Sequence, residues 1–142
     1  MIPLKGPTVE FFVAGIPKSM SVGKTIRWKT KDGSRQGSHQ KRENTDWASL
    51  VGTIGRTHAP VKPFAGPIHL MLEFLMPRPK SAKKASYPLK RPDIDNMIHK
   101  LTDQFNGVMW VDDSQIVVLI ANKNFVWADD SPGLRITIEE IQ

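Results

Sequence analysis

The sequence contains no cysteine. That excludes a disulfide framework and any cysteine-based zinc site. Its four histidines, His39, His58, His69 and His99, are scattered without ligand spacing, which argues against zinc altogether. The longest clean apolar run, "IVVLIA", is far too short to span a membrane. The opening "MIPLKGPTVE" lacks the apolar core of a signal peptide. A soluble, intracellular protein is expected, with the cytoplasm as its compartment. Acids are scarce in two long stretches. Residues 17–42 hold eight basic residues and one acid, Asp32, and residues 77–91 hold six basic residues and no acid.

The chain has 142 residues, a length that suggests one domain over residues 1–142 with a modest core. Its net charge is +6, and the two basic stretches carry fourteen of the twenty lysines and arginines. From residue 92 onward the sign reverses, with nine acids against three basic residues. A single basic loop is usually just solvated. Two of them flanking an acidic cluster favour a polyanionic partner, nucleic acid. The candidate phosphate contacts in the first stretch are Lys18, Lys24, Arg27, Lys29, Lys31, Arg35, Lys41 and Arg42. Lys80, Lys83, Lys84, Lys90 and Arg91 follow in the second, and Lys100 lies beyond it.

Periodicity gives an order of strand, long loop, helix, strand, loop, helix, strand, strand. Val9, Phe11 and Val13 alternate with Glu10 and Phe12, as in a strand. Residues 16–43 form a long polar segment, expected as a basic loop over about 17–43. Trp47, Leu50, Val51 and Ile54 have the spacing of an amphipathic helix, with Asn44, Thr45 or Asp46 as its cap and Pro60 and Pro63 beyond its end. Ile68, Leu70, Leu72, Phe74 and Met76 share one face of a second strand. A second basic loop is expected at 77–91. A helix then begins near Asp93, with Ile94, Met97, Ile98, Leu101 and Phe105 as its apolar stripe and Asn106–Gly107 as its end. "SQIVVLIANKNFV" is apolar on both faces in its middle, as a central strand would be. Leu134, Ile136 and Ile138 alternate in a last strand. The fold class is α+β: a small mixed or antiparallel sheet with two main helices.

The acids of "RPDIDNMIHKL" and "VDDS" invite two explanations. Asp93 is a good helix cap, Asp95 suits the positive end of the helix dipole, and Asp112–Asp113 suits a turn. Capping and turn formation would account for all four. The alternative is a metal site. A helix over 94–106 is roughly 20 Å long, and the six steps from Gly107 to Asp113 reach at most about 20 Å. A chain doubling back along the helix can therefore bring Asp113 level with Asp93 and Asp95. Three carboxylates so placed resist ionising together unless a cation sits among them. Oxygen-only ligands select a hard ion, Mg²⁺ or as a substitute Mn²⁺. Such an ion beside basic loops suits phosphodiester hydrolysis, because it acidifies a bound water and stabilises the leaving oxygen.

At these residues the chain resembles the RusA family of Holliday junction resolvases. The matching pieces are "RPDIDN", the following helix with "LTDQFNG", and "VDDSQIVVLIANKNF", and "FFVAGIPKS" is similar to the family's opening strand and proline turn. The match runs over roughly residues 66–140. The resemblance implies a homodimeric, Mg²⁺-dependent endonuclease that resolves four-way DNA junctions by paired symmetric cuts, in DNA recombination and repair. It puts the metal-binding, catalytic aspartates on Asp93, Asp95 and Asp113, and leaves Asp112 as a turn residue or a support for the ligands. It puts Lys18 on a basic position near the first strand. Family members often carry lysine four residues after the second aspartate, where this chain has His99. His99 is thus a candidate catalytic cation, and an ordinary polar helix residue is the competing reading. On a continuous helix His99 shares a face with Asp95, whereas Lys100 and Asp103 do not. Trp28 either stacks on DNA or packs its loop onto the body. Two rivals to a junction resolvase stand: a nuclease for other branched or flapped DNA, and a non-catalytic DNA-binding module.

Overall fold

The computed structural model describes residues 6–20, 25–31, 33–38, 42–82, 86–127 and 130–142. Lys24, Lys41, Lys83 and Lys84 lie outside the described residues. Strand β1 is Thr8–Ala14, and Thr25–Thr30 (β2) and Gly33–Ser38 (β3) form a hairpin. Helix α1, Arg42–Thr57, precedes strand β4, Ile68–Met76. The short helix α2, Ile94–Ile98, precedes strands β5, Ile116–Phe125, and β6, Gly133–Glu140. The main sheet has the order β1-β6-β4-β5. Its first two pairings are antiparallel, and β4 with β5 is parallel. The fold is α+β with a mixed four-stranded sheet and two helices, as the periodicity predicts.

The core lies on one face of this sheet. Ile68, Leu70, Leu72, Phe74 and Met76 of β4 all point into it, and so do Leu134, Ile136 and Ile138 of β6. Phe11 and Val13 continue it on β1 while Phe12 stays exposed. The period-2 pattern therefore located the buried face of three strands. Trp47 and Val51 bring α1 onto that face, with Ile54 partly buried beside them and Leu50 exposed. Gly55 makes this packing possible: a Cβ there would stand 2.4 Å from the Phe105 ring.

Four expectations need correction. The segment expected as a loop over 17–43 contains the β2–β3 hairpin and the first residues of α1. Arg27 and Lys29 lie on β2, Lys31 in the turn, Arg35 on β3, and Arg42 opens the helix. Because α1 begins at Arg42, Asn44, Thr45 and Asp46 sit inside it instead of capping it. The strand expected at the centre of the sheet, β5, is an edge strand, and Val117, Leu119 and Ile120 on it are exposed. An apolar run on both faces reports two faces that avoid water, and at an edge the covering surface can lie outside the chain.

The helix expected over 94–106 is broken. α2 ends at Ile98, His99 leaves the helix at φ −52° and ψ 127°, and Lys100 has φ +63°. The chain resumes as a 3₁₀ turn, Thr102–Phe105, before Gly107 at φ +75°. The apolar stripe nevertheless holds. Met97, Leu101 and Phe105 are fully buried, and Ile94 and Ile98 pack against the core. Steps of three and four residues keep one face inward through short helical pieces as well as through one long helix. Hence the stripe alone did not reveal the break.

Candidate active site

The break at Lys100 shapes the site. Asp95, Ile98, His99, Lys100, Thr102 and Asp103 line one open cleft of about 540 Å³, together with Leu119 of β5. A second cleft of about 300 Å³ adjoins it, lined by Met20, Ala48, Lys100, Asp103 and Gln104. Lys100 and Asp103 thus border both. This corrects the continuous-helix argument, which turned Lys100 and Asp103 away from Asp95. The left-handed residue at 100 rotates the following turn, so both come round to the side of Asp95 and His99.

Asp93 is the N-cap residue of α2, but its side chain makes no capping hydrogen bond. Its carboxylate is exposed and uncommitted to the helix. Capping therefore does not account for it. Asp112 behaves as a turn residue should. Its carboxylate accepts a hydrogen bond from the Ser114 backbone N–H at 3.1 Å, and its own N–H donates to Gln115 Oε1 at 2.8 Å. Hydrogen bonding from Ser114, side chain first and then backbone, holds the Asp112 carboxyl below its ordinary range. Asp113, next along, is half-buried, and Thr102 Oγ1 donates to its Oδ2 at 3.4 Å. Thr102 lines the cleft, so this bond ties Asp113 to the wall shared by Asp95 and His99.

Among the described residues, no three His, Asp or Glu side chains are grouped closely enough to hold one metal ion. Asp95 and Asp103 share a cleft, and Asp113 joins it through Thr102. Asp93 stands at the start of the same short helix. Among the described residues no cation is paired with any of these four. Their oxygen donors have the right chemistry for a hard divalent ion. Their present spacing does not close around one.

Several partners went unseen in the sequence. Met20 N–H donates to Asn96 O at 2.7 Å, which docks the segment after Lys18 directly on α2. Lys18 itself is half-buried two residues away. Lys123 of β5, also half-buried, donates from Nζ to the carbonyls of Lys90 and Pro92 at 3.0 Å each. It thereby fastens the end of the second basic loop beside Asp93. Lys80, Lys90 and Arg91 on that loop are exposed. A scan for clustered charge passes over Lys123, which stands alone in an apolar strand.

The family model for the endodeoxyribonuclease RusA matches residues 19–139, most of the chain. The chain belongs to the RusA family. It is an endodeoxyribonuclease of the Holliday junction resolvase type. It is also similar to the uncharacterized protein YqaN of Bacillus subtilis (strain 168), at 26% identity over 102 residues. That alignment covers 64% of this chain and 70% of the relative. The RusA match includes Asp93, Asp95, Asp103, Asp112, Asp113 and the hairpin. Among the described residues no helix is long and apolar enough to cross a membrane.

His99 and Lys100 border the same cleft, so substitution is what separates them. If His99 supplies a positive charge to catalysis, His99→Ala slows cleavage, His99→Lys keeps it, and Lys100→Met changes little. Equal cleavage rates for wild type, His99→Lys and His99→Ala would transfer the role to Lys100.

Proposed function

We propose that this RusA-family enzyme resolves four-way DNA junctions by paired, symmetric, Mg²⁺-dependent hydrolysis, with Asp93, Asp95 and Asp113 as its metal-binding and catalytic carboxylates. The observation that carries the reading is the cleft in which Asp95, His99, Lys100 and Asp103 meet, with Asp113 tied to its wall, in a chain of this family. A divalent ion would supply an acidified water and charge neutralisation at phosphorus. The residues' own part is separate. Exposed Asp93 and Asp95 offer unspent oxygen donors, Thr102 orients the Asp113 carboxylate, and His99 or Lys100 faces the phosphate with positive charge.

The basic segments would hold the arms through the phosphate backbone, without reading bases. Lys18, Arg27, Lys29, Lys31, Arg35 and Arg42 of the first segment and Lys80, Lys90 and Arg91 of the second would serve, together with Lys24, Lys41, Lys83 and Lys84. A homodimer is part of the proposal, because two symmetric cuts need two symmetric sites. The exposed apolar side chains of edge strand β5 support it, since an uncovered edge of this kind is a liability in a lone subunit.

The deciding experiment compares a four-way junction, a flap and a linear duplex as substrates, each with Mg²⁺ and with chelator. Symmetric cutting of the junction alone, lost on chelation, is the expected result. Equal cutting of the flap would move the substrate to branched DNA in general. Binding without cutting under every condition would leave a DNA-binding module.

The role of the second basic loop has its own measurement. Replacing Lys80, Lys90 and Arg91 together by glutamine should weaken junction binding and reduce the slope of log K against log salt by up to about 2.7, near 0.9 per lost phosphate contact. An unchanged slope would show that these three residues touch no phosphate.

A further inference from the structure

Lys123 has no place in the proposed chemistry, yet its setting is specific. Two of the three donors of its ammonium group go to the Lys90 and Pro92 carbonyls, at 3.0 Å each. Neither partner is charged. Among the described residues no carboxylate lies within ion-pair distance of it, so main-chain oxygens alone hold the ammonium. The side chain is half-buried and held from two sides, which fixes where the third N–H can go. A planar peptide unit puts the Pro92 oxygen about 3 Å from the Asp93 Cα. The ammonium therefore stands within about 6 Å of the Cα of a residue proposed to bind metal.

We propose that Lys123 is a phosphate-binding residue of the site. Its third N–H donates to a non-bridging oxygen of the DNA backbone where the strand passes Asp93. The inference rests on the nuclease reading of that cleft and adds one named contact to it. A surface lysine meets phosphate as a mobile point charge. Lys123 is already immobilised by the two carbonyls, so less side-chain freedom is lost when the strand arrives. The same two bonds couple the contact to the acids. A phosphate drawn toward Nζ is drawn toward the loop segment that leads directly into Asp93 and α2.

The competing explanation is a clamp that merely fastens the loop. Lys123→Gln separates the two, because the amide loses the charge and keeps N–H donors, with a reach one bond shorter than lysine's. The measurement is junction affinity against salt in the absence of divalent ion, together with the thermal midpoint of the free protein. Lys123→Gln should lower the slope of log K against log salt by about 0.9, the value for one phosphate contact, with the midpoint little changed.

A second route restores the charge. The chain has no cysteine, so Lys123→Cys carries its single thiol. Alkylation with 2-bromoethylamine rebuilds a lysine-like ammonium there, and capping with methyl methanethiosulfonate gives a neutral side chain. The aminoethylated protein should recover the wild-type slope and the capped protein should not. A wild-type slope in Lys123→Gln and in the capped protein overturns the proposal. Loss of the fold in both overturns it equally, since Lys123 is then a structural clamp. A wild-type protein that binds junctions without cutting them would end the nuclease reading while leaving this comparison intact, because the comparison uses binding alone.

Discussion

Asp113→Asn should reduce junction cleavage well beyond the roughly 10–100-fold typical of losing a partner that only supports a metal ligand. A neutral amide is a poor ligand for a hard cation. The fold should be spared. Asparagine keeps a carbonyl oxygen that can accept the Thr102 hydroxyl, and the neighbouring turn is held by Asp112, Ser114 and Gln115 instead. Junction affinity should hold or rise, because a negative charge facing phosphate has been removed. Single-turnover cleavage and binding, measured on one preparation, check both halves. Cleavage at the wild-type rate would remove Asp113 from the site. Loss of cleavage together with a collapsed thermal midpoint would make it a structural residue.

Trp110→Ala should have the largest effect on folding. Trp110 is fully buried, packs edge-on against Phe105 at 6.0 Å between centroids, and donates from Nε1 to Asn106 Oδ1 at 2.8 Å. Its backbone bridges to Phe64 and Asn106. Truncating a buried aromatic of this size costs about 3–5 kcal/mol. Domains of this kind have only about 5–15 kcal/mol in total. Trp110→Phe, which keeps most of the volume and loses the hydrogen bond, should cost far less. Urea unfolding followed by circular dichroism gives both values. The consequence reaches the site, because Trp110 anchors the return of the chain from Asn106 to Asp113. A partly folded Trp110→Ala protein should lose cleavage in step with structure. A wild-type urea midpoint for Trp110→Ala would mean that the packing around this ring carries little of the stability.

The sequence disclosed the parts of the molecule where one rule governs. Alternation in β4 and β6 named the buried residues of both, since a strand with one wet face has no other solution. The run apolar on both faces misled at β5, which is an edge strand with Val117, Leu119 and Ile120 exposed. The β2–β3 hairpin went unread because its strands, "TIRWKT" and "GSRQGS", have little apolar alternation to betray them. The acids of the site were legible as residue types and spacings. Their arrangement was not, because it depends on one residue, Lys100, taking a backbone conformation that its side chain does not favour. Lys123 was illegible for a different reason. Its partners are main-chain carbonyls, and carbonyls leave no mark in a sequence.

The parallel pairing of β4 with β5 has a consequence for the order in which this molecule assembles. Parallel neighbours cannot be joined by a tight turn, and here the crossover is residues 77–115. Every proposed catalytic residue lies inside that crossover, and Lys123, which fastens it, lies on the strand that follows. The hairpin and α1 are local and can form early. The crossover acids gain fixed positions only once β5 has found β4, a contact between distant segments and therefore slow to form. A chain still emerging from the ribosome would complete the hairpin and α1 well before the acids of the crossover are brought into place. Hydrolytic competence would thus be among the last properties the protein acquires, and among the first it loses when the sheet edge opens.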